Sequence, residues 1–184
     1  MIGLLLALLG SVTAQGSDNA VCTLSEADRR ANARLSFEEF DQTGSTPTSA
    51  RRLGERGCWK EAAEATADYL IRGPAAPPEQ LRVLLFHLGQ FYAMAGEEAR
   101  AADFVAASRR ADATDPASDA LRWNDYVQGT WAFLRKDREM LIAARDSILS
   151  APGTRNRTNG ALLAALERCF DRPYAVAYDM NCGR

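Results

Sequence analysis

The stretch Leu85–Ser108 reads LFHLGQFYAMAGEEARAADFVAAS and decides the expected fold. Gly96 marks a turn between two helical pieces, because glycine adopts the backbone conformation that ends a helix. Small residues such as Gly89 and Ala101 let two helices approach closely, and the larger Tyr92 fills the space between them. The stretch therefore predicts a pair of helices packed against each other across a tight turn.

The same residues stand at a spacing that is known from a repeat family. Leu88-Gly89, Tyr92, Gly96 and Ala101 occupy the positions where tetratricopeptide repeats carry these residue types. The stretch resembles one unit of that family, a helix–turn–helix of about 34 residues. Proteins of this family are far more often binding scaffolds than enzymes.

Two companion units flank the central one. Gly57–Ala62 (GCWKEA) resembles the turn and second-helix start of the family, and Gly129 with Lys136-Asp137 indicates a weaker third unit in which Leu141 replaces the usual Ala. The three units lie a few residues farther apart than the family repeat. Proline-bearing linkers account for this surplus, and they are Gly73–Pro78 and Asp112–Pro116.

The resemblance implies an all-α fold, a right-handed superhelical stack of antiparallel helix hairpins with a capping helix at each end. One hairpin cannot cover its own apolar face, so three stacked hairpins are needed to bury a continuous core. No stretch alternates apolar and polar residues, and no sheet is expected. Within one domain over residues 15–184, we expect an N-terminal cap at 25–40, units at 46–71, 79–111 and 116–149, and a C-terminal cap at 160–184.

Capping residues set the expected helix ends. Ser25 and Asp28 form a capping-box pattern, so a helix should begin there and run to about Phe40. Further starts are expected at Thr46-Pro47, Asp115-Pro116 and Asp137, ends at Gly57 and Gly96, and a loop at Pro152–Thr158 before a last helix at Gly160–Phe170.

Residues Met1–Ala14 look like a secretory signal. Ile2–Leu9 is an apolar run too short for a bilayer, which takes about 20 residues, and Val12-Thr13-Ala14 is a small-residue cleavage pattern. This n-region lacks Lys and Arg, so a retained apolar helix is the alternative. No other apolar run approaches membrane length, and stable membrane insertion is not expected. We expect a periplasmic or secreted protein.

The cysteines fit an oxidising compartment. Four cysteines after an export signal favour disulfides, and the pairs Cys22–Cys58 and Cys169–Cys182 would each close a loop within one end of the chain. Buried free thiols are the alternative. A metal site is less expected, because no CxxC is present and His87 is the only histidine. No cofactor is expected.

The charge balance gives no support to one class of partner. The chain has 22 basic and 24 acidic residues, a net charge of −2, which gives no reason to expect nucleic acid.

In the family, the first helix of each hairpin lines a concave surface. The inward positions carried over to this chain are Arg51 and Glu55 in the first unit, Val83, Phe86, Gln90 and Met94 in the second, and Trp123, Tyr126, Thr130 and Phe133 in the third. The alternative for the third unit is that its aromatic residues are covered by the C-terminal helix and form core.

The resemblance implies an exported scaffold that binds a protein or peptide in this groove without catalysis. The alternative function is a small enzyme or small-molecule-binding protein that uses Trp123, Tyr126 and Phe133 with His87 as a general base. A third is a structural domain whose interface is a homodimer contact. The chain has neither a GxSxG nucleophile motif nor a Gly-rich phosphate loop.

Overall fold

The computed structural model describes residues 22–111 and 121–179, and every regular element in them is helical. The all-α expectation is therefore confirmed. The expected signal at Met1–Ala14, the helix start at Asp115-Pro116 and Cys182 lie outside the described residues. The α-helices are α1 (Glu26–Asn32), α2 (Ala50–Glu55), α3 (Trp59–Arg72), α4 (Pro78–Met94), α5 (Glu98–Ala107), α6 (Trp123–Leu134), α7 (Arg138–Ser150), α8 (Thr154–Arg168) and α9 (Tyr174–Tyr178), and a π-helical segment spans Glu38–Gln42.

Three helix pairs, α2–α3, α4–α5 and α6–α7, share one turn geometry. Each turn has a residue in the left-handed region: Gly57 at φ 75°, Gly96 at φ 85° and Lys136 at φ 59°. The next residue donates its backbone N–H to a carbonyl five positions back, which is the Schellman arrangement that ends many helices. These bonds join Cys58 to Leu53 at 2.9 Å, Glu97 to Tyr92 at 2.8 Å and Asp137 to Ala132 at 2.8 Å.

The expected close approach inside the central hairpin is present. A Cβ atom on Gly89 would lie 2.7 Å from the Val105 side chain and 3.0 Å from the Ala101 carbonyl oxygen, so no larger residue fits at this position. Ala62, Ala101 and Leu141, the residues aligned across the three units, are all fully buried. Neighbouring helices pack in chain order, α3 on α4, α5 on α6 and α7 on α8.

The N-terminal cap differs from expectation. The Ser25–Asp28 capping box is present, but α1 ends at Asn32 instead of running to Phe40. Ser36 and Glu39 form a second box, in which the Ser36 backbone N–H donates to the Glu39 carboxylate at 2.8 Å. These hydrogen bonds hold the pKa of Glu39 below its usual range. The Ser36–Glu39 box therefore starts a second helical segment, the π-helical one, separate from α1.

Other expected boundaries were also wrong. Helix α2 begins at Ala50, because Ser49 Oγ donates to the Thr46 carbonyl and keeps that stretch in a turn. Residues 121–122 lie outside any helix, so α6 does not extend back toward Pro116. The loop expected at Pro152–Thr158 and the helix start expected at Gly160 are also wrong, because α8 already begins at Thr154. Buried Asn156 fixes this turn by accepting from the Arg122 backbone N–H at 2.8 Å.

The C-terminal segment returns to the middle of the chain. Tyr174 of α9 is 1 % exposed, and its backbone N–H donates to Glu98 of α5 at 2.5 Å. Lys136 supports the return, since its Nζ donates to the carbonyl of Phe170 at 3.1 Å and that of Arg172 at 3.3 Å. The C-terminal cap is therefore α8 followed by a short helix that packs on α4.

A disulfide closes the N-terminal end. Cys22 and Cys58 have an S–S distance of 2.02 Å and a Cα–Cα distance of 5.4 Å, the pairing expected from the sequence. It ties the segment before α1 to the turn between α2 and α3. The other expected pair, Cys169–Cys182, involves a residue outside the described part. Among the described helices, none combines the length and apolarity that a membrane crossing requires.

Candidate functional site

The expected groove residues separate into three places. Arg51, Glu55, Gln90 and Met94 line one cleft of about 300 Å³. Val83 and Trp123 line a second cleft of about 280 Å³. Phe86, Tyr126, Thr130 and Phe133 are buried and offer no groove surface, which corrects the expected continuous groove.

The burial of the third-unit aromatics has a simple packing cause. The Phe86 ring of α4 lies 5.1 Å from the Tyr126 ring and 5.3 Å from the Trp123 ring of α6. The Phe133 ring lies 5.8 Å from Tyr174 of the returning α9. Tyr126 and Phe133 are therefore core residues, which was the alternative to groove positions for the third unit. Trp123 stays partly exposed.

The first cleft, called the His87 cleft below, lies between α2, α3, α4 and α9. One face of α4 forms its floor, since residues three and four apart project from the same side of a helix. Tyr174 and Tyr178 of α9 form the opposite wall. The remaining lining residues are Gly54 of α2, Trp59 of α3, and His87 and Phe91 of α4.

Asp41 organises the polar part of the His87 cleft. His87 Nδ1 lies 2.8 Å from one carboxylate oxygen of Asp41 and 2.9 Å from the other. The Asp41 side chain is 1 % exposed and the His87 side chain 24 %. A carboxylate can only accept a hydrogen bond, so Nδ1 of His87 must carry a proton. The other ring nitrogen, Nε2, is then the one available to a ligand in the cleft. Nε2 makes no hydrogen bond to any described residue.

The same residue also fixes Arg51. Arg51 Nε donates to the backbone carbonyl of Asp41 at 2.9 Å. No salt bridge joins Arg51 to another described residue, whereas its neighbour Arg52 pairs with Glu55 at 2.9 Å. Within the described residues, no carboxylate therefore forms a salt bridge to the Arg51 guanidinium in this cleft.

Gln90 joins the floor of the cleft to the tyrosine wall. Its Nε2 donates to the Tyr174 hydroxyl at 3.2 Å. Burial raises the pKa of Tyr174 and Tyr178 above the usual range, while hydrogen bonding with Gln90 acts in the opposite direction. Both phenols are neutral at ordinary pH, so this wall offers hydroxyl groups without charge.

The second cleft, called the arginine cleft below, is arranged differently. Glu79 forms a salt bridge to Arg82 and lies 3.6 Å from Arg110. Trp123 forms part of the wall, and its Nε1 donates to the Ser108 carbonyl at 2.8 Å. The cleft is completed by Val83, Leu121 and Arg155.

The chemistry available in the His87 cleft is limited. A histidine oriented by a buried carboxylate is the usual form of a general base. Among the residues that the structure describes, no serine, threonine or cysteine lines this cleft to act as a nucleophile. Within the described residues, the one cluster of metal-type ligands is Cys22, Cys58 and Glu61, and its two sulfur atoms are already bonded to each other.

Sequence reasoning identified His87 but missed its partner. Asp41 stands in the acidic run Glu38–Asp41, which looks like a solvated helix face. Its burial depends on the packing of the π-helical segment against α2 and on the contact with His87 of α4, and nothing local in the sequence signals these contacts. Tyr178 joined the cleft through the return of α9, which is equally non-local.

No family model, curated protein or solved structure matches this chain.

Proposed function

We propose that this chain is an exported scaffold of the tetratricopeptide-like type, which binds a peptide segment of a protein partner in the His87 cleft without catalysis. The observation that carries the proposal is that Arg51, Glu55, Gln90 and Met94, placed in the groove by the resemblance, line one cleft. They come from two successive hairpins, as a groove across a stack of repeats requires.

Further features support a repeat scaffold in an oxidising compartment. The three turns share one hydrogen-bond pattern and one left-handed position. The Cys22–Cys58 disulfide fits a periplasmic or secreted protein, since thiols stay reduced in the cytosol. The cleft mixes aromatic walls with polar groups, the composition that anchors peptide side chains.

A peptide-display selection tests this function. Random peptides are selected on the oxidised full chain, and the enriched peptides are measured against Trp59→Ala and Ile71→Ala. Both residues are on α3, but Trp59 lines the cleft and Ile71 is 83 % exposed. We expect Trp59→Ala to weaken binding at least tenfold and Ile71→Ala to leave it unchanged. Enrichment of no peptide, or equal effects of both variants, would contradict the proposal.

The second candidate is a small-molecule-binding protein or enzyme, and the His87–Asp41 pair favours it. An imidazole held by a buried carboxylate is suited to accept a proton from a bound hydroxyl or water. Turnover of a small ester that disappears in His87→Gln would favour this candidate over the scaffold.

A further inference from the structure

Two positively chargeable groups of the His87 cleft are positioned by one residue. Asp41 holds Arg51 through its backbone carbonyl at 2.9 Å and His87 through its carboxylate at 2.8 Å. The two side chains come from α2 and α4, yet both line the same cleft. Because Asp41 is buried, it fixes their positions without occupying the space between the cleft walls.

The other charged and titratable groups around the cleft do not cancel Arg51. Glu55 on α2 is paired with Arg52. The Asp41 carboxylate of the π-helical segment is buried and engaged with His87. On α9, Tyr174 and Tyr178 are neutral phenols. Tyr178 is near enough for the Arg51 charge to act on its pKa, and Asp179 acts on the same phenol in the opposite direction.

The remaining walls are apolar. Trp59 and Phe91 lie with ring centroids 6.4 Å apart on one side of the cleft, and Met94 follows one turn along α4. Such a surface suits an aromatic or large aliphatic group, because offset ring contacts stabilise beyond the area that they bury. The cleft thus combines one cationic and one aromatic part.

We infer that the ligand of this cleft is a peptide carrying a carboxylate beside an aromatic side chain, with the carboxylate bound by Arg51 and His87. This inference rests on the proposed function and specifies its ligand. Arg51 supplies two remaining donor groups in a planar fork, which matches a carboxylate. His87 supplies Nε2, which donates once the ring is protonated.

The inference predicts that binding depends on pH. Histidine is the side chain that changes charge between pH 5 and 8. An imidazolium attracts a carboxylate more strongly than a neutral imidazole does, so we expect the affinity to fall as the pH rises from 5.5 to 8. By linkage, a ligand that binds an imidazolium more tightly than a neutral imidazole favours the protonated ring. We expect binding about three- to tenfold weaker at pH 8 than at pH 5.5.

The single histidine makes the test direct. His87 gives the only imidazole signals of the chain, so its titration is followed by NMR on the oxidised full chain. The probes are 3-phenylpropionate and the matched uncharged 3-phenylpropionamide. We expect the carboxylate to bind and to raise the His87 midpoint, and the amide to do neither. Equal binding of both probes, or an unmoved midpoint, would overturn the inference.

Matched variants separate the two cationic groups. Arg51→Gln should abolish the preference for the carboxylate, while Arg56→Gln, an exposed substitution with the same charge change near the end of α2, should not. His87→Gln should keep binding but lose its pH dependence. If all three variants behave alike, long-range charge explains the binding and the inference fails.

The peptide selection keeps this inference separate from the proposed function. Enriched peptides that bind as well after their carboxylates are amidated would overturn the carboxylate ligand and leave the scaffold function standing. If no peptide is enriched but 3-phenylpropionate binds with the stated pH dependence, the carboxylate site stands and peptide binding fails.

Discussion

The His87 cleft and the arginine cleft have similar volumes, about 300 and 280 Å³, but Arg51 in the first and Arg82 in the second have different partners. In the arginine cleft, Glu79 lies next to both Arg82 and Arg110. In the His87 cleft, Arg51 is held by a backbone carbonyl, which fixes the guanidinium without neutralising it. The comparison leads us to expect that an arginine held by a backbone carbonyl binds an anion more readily than an arginine already paired with a carboxylate.

The largest effect is expected from the disulfide, which adjoins the His87 cleft alone. Replacing both Cys22 and Cys58 with Ser should lower the free energy of unfolding by about 3 kcal/mol, because the unfolded chain regains the entropy of an open loop. Denaturant unfolding of the oxidised protein and the double variant measures it. Hydrogen exchange should rise in α2 and α3 before it rises in α6. Uniform exchange changes would show that both clefts depend equally on the disulfide.

A smaller loss is expected when the residue that organises the His87 cleft is removed. Asp41→Ala leaves the Nδ1 proton of His87 without an acceptor and should cost about 1–3 kcal/mol. Glu79→Ala is the counterpart in the arginine cleft. The Glu79 side chain is 71 % exposed, so its loss should cost less than about 1 kcal/mol. Thermal unfolding of both variants tests the difference, and equal losses would contradict the distinct roles of the two carboxylates.

Lys136 offers a test of the tyrosine wall. Its left-handed backbone favours glycine, so Lys136→Gly should relieve about 1 kcal/mol of strain. The same change removes the Nζ bonds to the carbonyls of Phe170 and Arg172 that support the return of α9. We expect nearly unchanged global stability but faster amide exchange in α9. Lys136→Asn, which tolerates the backbone but lacks the long side chain, should show the same faster exchange.

The smallest effect should appear in the arginine cleft. Glu79→Gln leaves Arg82 without its acidic partner, and stability should change by less than about 0.5 kcal/mol. If the carboxylate of Glu79 is what keeps anions away from Arg82, this variant should gain a weak affinity for 3-phenylpropionate that the wild-type cleft lacks. Chemical-shift changes at the Trp123 indole would report it. No gain would show that removing the paired charge is insufficient to create a site.

Local signals in the sequence predicted the middle of the molecule well. Gly57 and Gly96 end helices where expected, and Asp137 caps α7 by accepting from the Met140 backbone N–H at 3.0 Å. Each of these helix ends and caps depends on a few adjacent residues, so it can be predicted from the local sequence alone.

The errors arise where distant contacts decide the structure. Asn32 ends α1 because its side chain donates to the Thr48 carbonyl, in a segment that local rules assign to another helix. Asn156 is buried under the backbone at Arg122, within a polar stretch that reads as loop. Distant contacts also explain why only part of the His87 cleft was predicted. Its α2 and α4 residues follow helix periodicity, whereas Asp41 and Tyr178 arrive through tertiary packing.

The return of α9 to the central hairpin changes how the helices should unfold. In an open array of repeats, each unit touches only its neighbours and the ends can melt separately. Here the bonds from Tyr174 to Gln90 and Glu98 join residues about 80 positions apart and connect the last helix to the second hairpin. The C-terminal half therefore cannot fray unit by unit. Its loss is coupled to the hairpin that holds the cleft, so a ligand bound at the cleft would also stabilise α9, and we expect the described helices to unfold as one cooperative body.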